Sequence, residues 1–124
     1  MPKYYIQSGQ IKFVVMAADV EGAALWAMHR VIDEMVQRYE QNEIPRLMEP
    51  EFPADIEAEN RSAEFEIAMF EPMMDGLARF DSEIVCSQRG FGRDEAGTLC
   101  TNRIFIQWRQ LMRAADYLFD RLDG

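Results

Sequence analysis

Two short runs of alternating side chains at the start of the chain constrain the fold more than any other feature. Residues 3–16, KYYIQSGQIKFVVM, alternate with a two-residue period on either side of Ser8-Gly9-Gln10. This pattern is typical of a β-hairpin. A two-stranded ribbon is not stable alone in water and needs a partner over its apolar side. The chain is therefore predicted to build a larger sheet and to cover one of its faces.

The segment after the hairpin predicts the first covering element. Asp19 is suited to accept a hydrogen bond from a free N–H at a helix start, and an apolar stripe runs from about Val20 to Glu40. The stripe is made of aliphatic and aromatic side chains: Ala24, Leu25, Met28, Val31, Ile32, Met35, Val36 and Tyr39. Because such a stripe must be buried, we predict a long helix that packs on the hairpin.

Three prolines interrupt the middle of the chain. They predict an acidic, proline-containing connection around residues 42–63, inside a single domain that spans residues 1–124. A chain of this length can bury one core without disulfides or a structural metal. Residues 56–70 fit either a helix or a strand, and the alternation of their apolar side chains favours a strand over residues 64–70.

The last third of the chain predicts a strand and a helix. DSEIVCSQ, residues 81–88, alternates as a strand does, whereas DEAGTLC, residues 94–100, is interpreted as a loop. Thr101 is suited to cap a helix that runs to about Leu122. The apolar seam of this helix has intervals of three and four residues and a second column beside it: Ile104, Trp108, Leu111, Ala115, Leu118 and Leu122, with Phe105, Met112 and Phe119. The seam predicts packing within the domain or across a dimer.

Together these elements predict an α+β fold. We expect a two-layer sandwich with an antiparallel sheet of three or four strands in the order β-β-α-(β)-β-α, and two long helices packed on one face. The other face carries apolar side chains at Tyr5, Val14, Met16 and Val85. A second copy of the chain or another protein is therefore expected to cover it.

The net charge of −9 is concentrated in one region. Residues 47–82 hold ten acidic and two basic side chains, which accounts for −8 of it. Such a surface repels phosphate backbones and anionic lipid, so neither nucleic acid nor a membrane is an expected partner. The chain has no apolar run of the roughly 20 residues that cross a bilayer, and its start does not resemble a secretory signal. We expect a cytoplasmic protein with reduced cysteines.

No catalytic residue, metal site or cofactor is predicted. His29 has Asp33 one helical turn away, the spacing at which a carboxylate orients an imidazole, but no motif supplies a nucleophile beside them. His29, Cys86 and Cys100 lack the close ligand spacing that makes a zinc site specific. A solvated helix edge and ordinary thiols are the favoured interpretation of these residues.

The stretch CSQRGFGR, residues 86–93, is the candidate ligand-binding segment. Its proposed binding residues are Arg89, Gly90, Phe91, Gly92 and Arg93. Glycines allow successive N–H groups to line an anion-binding concavity, and two guanidinium groups can clasp a carboxylate or phosphate. The simpler interpretation is a glycine turn whose arginines pair with the protein's own acids and whose aromatic ring enters the core. The segment matches neither a P-loop nor a dinucleotide fingerprint.

The sequence leaves two functional hypotheses. The favoured one is a non-catalytic module for protein–protein contact or regulation, with self-association as its simplest form. The alternative is a small protein or enzyme that binds an anionic ligand through the loop from Arg89 to Arg93, with His29 within reach. Convergence of Arg89, Arg93 and His29 on one apolar pocket would favour the alternative.

Overall fold

The computed structural model describes the backbone of residues 1–45 and 61–123, and the side chains of residues 1–45 and 68–115. The elements in this part of the chain are β1 (Lys3–Ser8), β2 (Ile11–Met16), α1 (Val20–Glu40), α2 (Arg61–Ala78), β3 (Glu83–Ser87), β4 (Gly97–Cys100) and α3 (Thr101–Asp123). They form an antiparallel sheet covered by helices, which confirms the α+β class. Residues 46–60 of the predicted connection lie outside the described residues.

The four strands lie in the order β2-β1-β3-β4. The predicted hairpin is confirmed, and its two strands close at the pair Ser8 and Ile11. Gly9 has a φ of 58° at the first central position of the two-residue turn, which is the position where a type II′ turn requires glycine. β3 then pairs with the other side of β1, with Cys86 opposite Ile6. The sheet is therefore built around the first strand of the chain.

The core lies between the sheet and α1, which contacts all four strands. The predicted bounds of α1 are confirmed, and the Asp19 carboxylate accepts a hydrogen bond of 2.7 Å from the Gly22 N–H at the helix start. Most of the fully buried side chains come from the inward positions of the strands and from one stripe of α1: Ile6, Ile84, Cys86, Ala23, Ala24, Ala27, Met28, Val31 and Ile32. The helices α2 and α3 add Pro72 and Ile104. One helix stripe and alternate strand residues thus form a continuous apolar layer.

The strand predicted over residues 64–70 is wrong, because these residues belong to α2. Met73 and Gly76 are buried and Met69 and Leu77 are half-buried, which is the i, i+4, i+7, i+8 spacing of a helix that packs on one face. The two-residue alternation before Met69 fits both structures over so short a window. The helical spacing from Met69 onward and the packing of α2 against α1 and α3 select the helix.

The loop predicted over residues 94–100 is wrong in its last four residues, which form β4. Leu99 pairs with Ile84 and Gly97 with Cys86 at the edge of the sheet. Thr101 follows as the first residue of α3, and its hydroxyl donates a hydrogen bond to the Asp81 carbonyl. Four residues that include a glycine are too short a run for periodicity to show a strand.

The first residues of the apolar seam of α3 are the ones that are buried within its described part. Ile104, Phe105 and Trp108 lie in the core, whereas Leu111 is 53% exposed, so Leu111 does not pack within the domain. The side chains of the seam after Ala115 lie outside the described residues. Met112, one turn beyond Trp108, is half-buried against the same core.

None of the helices in the described ranges has the length and apolar character needed to cross a membrane.

Truncation of Trp108 should weaken the fold strongly. Trp108 is 3% exposed, and removal of a buried tryptophan costs about 3–5 kcal/mol because it leaves a cavity. We expect Trp108→Ala to lower the free energy of unfolding, measured with urea, sharply. Leu111→Ala, on the same helix, should change that free energy by at most about 0.5 kcal/mol. Equal effects of the two substitutions would show that the core does not end where the structure places it.

Gly76 should be intolerant of any side chain. A Cβ atom there would lie 3.0 Å from Ile32 Cγ1 and 3.3 Å from Ile32 Cα, so the α1 backbone would have to move away by a few tenths of an ångström. Helix propensity favours alanine by at most about 1 kcal/mol, whereas overpacking costs about 1–3 kcal/mol. Gly76→Ala should therefore reduce the free energy of unfolding, and Met74→Ala on the exposed side of α2 serves as the control. A stabilised Gly76→Ala protein would contradict the close crossing of α1 and α2.

Candidate functional site

The loop between β3 and β4 contains the candidate segment and is organised by Ser87. This side chain is fully buried at the end of β3. Its hydroxyl donates to Glu95 Oε1 at 2.6 Å and accepts hydrogen bonds from the N–H groups of Arg89 at 2.9 Å and Gly90 at 3.2 Å. One serine therefore holds the beginning and the end of the loop together.

The backbone amides of the loop are already used within the protein. The amides of Arg89 and Gly90 donate to Ser87, and the Gly92 N–H donates to Gln7 Oε1 on β1 at 2.9 Å. Gly90 and Gly92 have φ angles of 152° and 78°, which only glycine adopts readily. These angles direct the loop back over the sheet. The hydrogen bonds to Ser87 and Gln7 leave fewer amides to line an anion-binding concavity.

Phe91 lies on the outer face of the sheet, the face opposite to the helices. Its ring meets the Tyr5 ring edge-on, with centroids 5.1 Å apart and planes at 86°. The Lys12 ammonium lies 5.6 Å from the Phe91 centroid, and the Lys3 ammonium lies 5.3 Å from that of Tyr5. The expectation that this ring enters the core is wrong, because Phe91 packs on the far side of β1 and stays 40% exposed.

The two arginines of the segment lie beside different carboxylates. Arg89 is close enough to Glu95 to contribute to the lowered pKa of that carboxyl, although the hydrogen bond from the Ser87 hydroxyl is the main cause. Arg93 instead lines an open cavity of about 510 Å³ at the end of the sheet beside the hairpin turn. The structure therefore gives the two guanidinium groups separate surroundings.

The cavity beside Arg93 has an acidic lining. Three carboxylates, from Asp81, Glu83 and Asp94, share it with one guanidinium group. Uncharged residues complete the wall: Gln7, Ser8, Gly9, Ser82, Val85 and Gly92. A phosphate or carboxylate in this cavity would meet more like charge than opposite charge, so its electrostatics disfavour an anionic ligand.

His29 is positioned by tryptophan side chains on both sides. Its Nδ1 accepts a hydrogen bond of 3.2 Å from the Trp108 indole N–H, and its ring stacks on Trp26 at a centroid distance of 5.7 Å. His29 lines a second open cavity, of about 500 Å³, between α1 and β2. Asp33 lines the same cavity and accepts a hydrogen bond from Gln37 at 2.9 Å. His29 and Arg93 thus line different cavities.

The second cavity follows one side of α1. Its wall consists of Phe13 from β2 and a row of mostly polar side chains from the helix: Trp26, His29, Arg30, Asp33, Glu34 and Gln37. Trp26 is 48% exposed at one end of this row. The exposure of Trp26 is visible only once α1 is set against the edge of the sheet.

The outer face of the sheet holds the exposed apolar side chains of the hairpin. Val14 is 50% and Met16 is 66% exposed, while Tyr5 and Val85 are half-buried beside them. The register places Tyr5 opposite Val14 and Lys3 opposite Met16. We call the set Tyr5, Val14, Met16 and Phe91 the outer patch. Sequence alternation located its three strand residues, and the loop adds the fourth.

The cysteines are both free. Cys86 is buried, and burial raises the pKa of its thiol to about 11, which keeps it protonated and unreactive at neutral pH. Cys100 is exposed at the end of β4. Within the described ranges, no three histidine, cysteine or acidic side chains lie where they would hold a metal ion.

Comparisons of this chain with family models, with curated proteins and with solved structures find no match. Its function is therefore argued from its own geometry.

The contact between Ser87 and Glu95 should make the stability depend on acid. The pKa of Glu95 is lowered in the folded protein, chiefly by the hydrogen bond from Ser87, so its charged form stabilises the fold above the ordinary glutamate range. This contribution is lost as the pH falls through the lowered value. Between about pH 6 and pH 3, Glu95→Gln should therefore lose less stability than the wild type, as urea unfolding would measure.

Other acids titrate over the same range, so a matched variant is needed. Glu21→Gln replaces an exposed glutamate on the first turn of α1, far along the chain from the loop. The stability of this variant should depend on pH more nearly as that of the wild type does than the stability of Glu95→Gln does. If Glu95→Gln followed the wild-type curve at every pH, Ser87 would not be stabilising the charged carboxylate.

Proposed function

We propose that the protein is a non-catalytic module for protein–protein contact that acts through the hairpin edge of its sheet and the outer patch beside it, with self-association as the simplest form. The supporting observation is the outer patch, in which Val14 and Met16 are at least half exposed on the edge strand. Apolar side chains that cluster on a surface are typical of interaction sites, whereas scattered ones need no explanation.

The surroundings of the outer patch favour a specific contact. Lys3 and Lys12 lie over the Tyr5 and Phe91 rings, so the aromatic surface is held in place and bordered by positive charge. The chain as a whole is strongly acidic, with a net charge of −9. A different protein whose surface has an apolar centre and acidic margins would match this patch. Nucleic acid would be repelled by the overall charge.

The proposed setting is the cytoplasm. The thiols of Cys86 and Cys100 are unpaired, as is usual for proteins in a reducing compartment. The proposal requires neither a metal nor a cofactor, since contact through a sheet face involves no chemical step.

The alternative, binding of an anionic ligand through Arg89 and Arg93, has weaker support. Ser87 and Gln7 occupy amides of the loop, and carboxylates surround Arg93. His29 lines another cavity, so it is not brought to the loop as an acid or base. The geometry that would favour a small-molecule site is a shared concavity, and these residues lie in separate ones.

Light scattering during size-exclusion chromatography tests the proposal. The wild type should change from one chain toward two as its concentration rises through the micromolar range, about where weak specific contacts lie. A Val14→Ser/Met16→Ser variant should remain a single chain with little change in its unfolding midpoint, since both side chains are exposed. Met74→Ser, an exposed methionine on α2, should associate as the wild type does. A wild type that stays monomeric throughout would remove self-association.

A further inference from the structure

We infer that β2 pairs edge to edge with β2 of a second copy and joins two four-stranded sheets into one of eight strands. This inference rests on the proposed function, because it specifies how the chain self-associates. It is carried by three features of the same side of the molecule: the backbone of β2, the side chains of its outer face, and the row of α1 that lines the second cavity.

The backbone of β2 has hydrogen-bonding groups directed away from β1. Among the described residues, β2 has a neighbouring strand on one side only. The two-residue turn closes at the hydrogen-bonded pair Ser8 and Ile11, and hydrogen-bonded and non-hydrogen-bonded pairs alternate from there. Lys12, Val14 and Met16 therefore direct their N–H and C=O groups outward, as an edge strand does toward a new neighbour.

A two-fold axis at Val14 gives a self-complementary register. Val14 would then lie opposite Val14 of the second copy, and Lys12 would lie opposite Met16 in both directions. Lysine on an edge strand usually opposes pairing, but in this register no lysine meets its own copy. The lysine stem can cover the exposed methionine, and antiparallel pairing about a two-fold axis closes at a dimer.

The second cavity lies along the same edge of the sheet. Phe13, next to Val14 on β2, forms one side of it, and the α1 row from Trp26 to Gln37 forms the other. In an eight-stranded sheet, the cavity of one copy opens toward that of the other. Pairing of β2 would therefore place the α1 rows near each other, where the half-exposed Trp26 ring can be covered.

The charges of the α1 row are also self-complementary. Phe13 lies beside the proposed axis and shares its cavity with Arg30, Asp33 and Glu34, in the middle of the row. When two such rows run antiparallel about an axis near their middle, Arg30 of each faces Asp33 of the other, whereas Glu34 already contacts Arg79 of its own chain at 3.5 Å. The opposite edge strand, β4, has only four residues and leads directly into α3, so it offers a shorter template.

Val14→Pro tests the backbone pairing. Proline removes the outward N–H of residue 14 but none of the hydrogen bonds between β1 and β2, and edge strands tolerate it. Two intermolecular hydrogen bonds would be lost about the axis, so self-association measured by analytical ultracentrifugation should weaken at least about tenfold. Circular dichroism would show whether the fold is retained.

Cross-linking tests the register without depending on that variant. Hydrogen-bonded antiparallel pairs have Cα atoms about 5.5 Å apart, within disulfide range. In a Cys100→Ser background, Val14→Cys should therefore give a covalent dimer under mild oxidation. Lys12→Cys in the same background should not, because residues 12 of the two copies would lie about 14 Å apart, roughly four residue steps along antiparallel strands.

Phe91→Ala distinguishes edge pairing from stacking of two outer faces. Edge pairing leaves Phe91 outside the interface, so association should persist, whereas face-to-face contact would lose an aromatic anchor. A wild type that associates, is unaffected by Val14→Pro and forms no Val14→Cys dimer would overturn edge pairing and leave the proposed function standing. A wild type that does not associate would overturn edge pairing and self-association, and would leave contact with a different protein as the proposed function.

Discussion

Burial of the apolar stripe of α1 is the constraint on which the rest of the structure depends. Ala23, Ala24 and Ala27 are fully buried on this helix, and Ile32 on the same helix meets Gly76 of α2. The other helices pack against α1, and α1 contacts every strand. Because these contacts share one helix, the sheet, α2 and α3 are stabilised together and loss of the stripe would affect all of them.

This arrangement decides which surfaces remain for a partner. Helices occupy the inner face of the sheet, so the hydrophobic side chains of the outer face are covered only by the loop after β3, among the residues that the structure describes. That loop is held by Ser87 and Gln7 and places Phe91 on Tyr5. The hairpin edge beyond them keeps Val14 and Met16 exposed. The proposed interaction surface is thus what the packing of α1 leaves uncovered.

Parts of the candidate site were accessible from sequence and parts were not. The exposure of Val14 and Met16 follows from strand alternation, which assigns faces without any tertiary information. Phe91 was expected in a ligand loop or in the core, and its place on the outer face depends on a hydrogen bond between residues far apart in the chain. The separation of Arg93 from His29 likewise reflects the topology, since one lies at the end of the sheet and the other on α1.

The sequence by itself determined the hairpin, the bounds of α1, the α+β class and the acidic charge, because each follows from local periodicity or composition. Tertiary structure alone decided that residues 61–78 are helical, that residues 97–100 pair as β4, and that Trp108 is buried while Leu111 is exposed. A short alternation fits a helix and a strand equally well until a neighbouring surface selects one, and an edge strand exists only when a partner strand supplies its hydrogen bonds. Which faces stay exposed is a property of packing, and no local window of residues contains it.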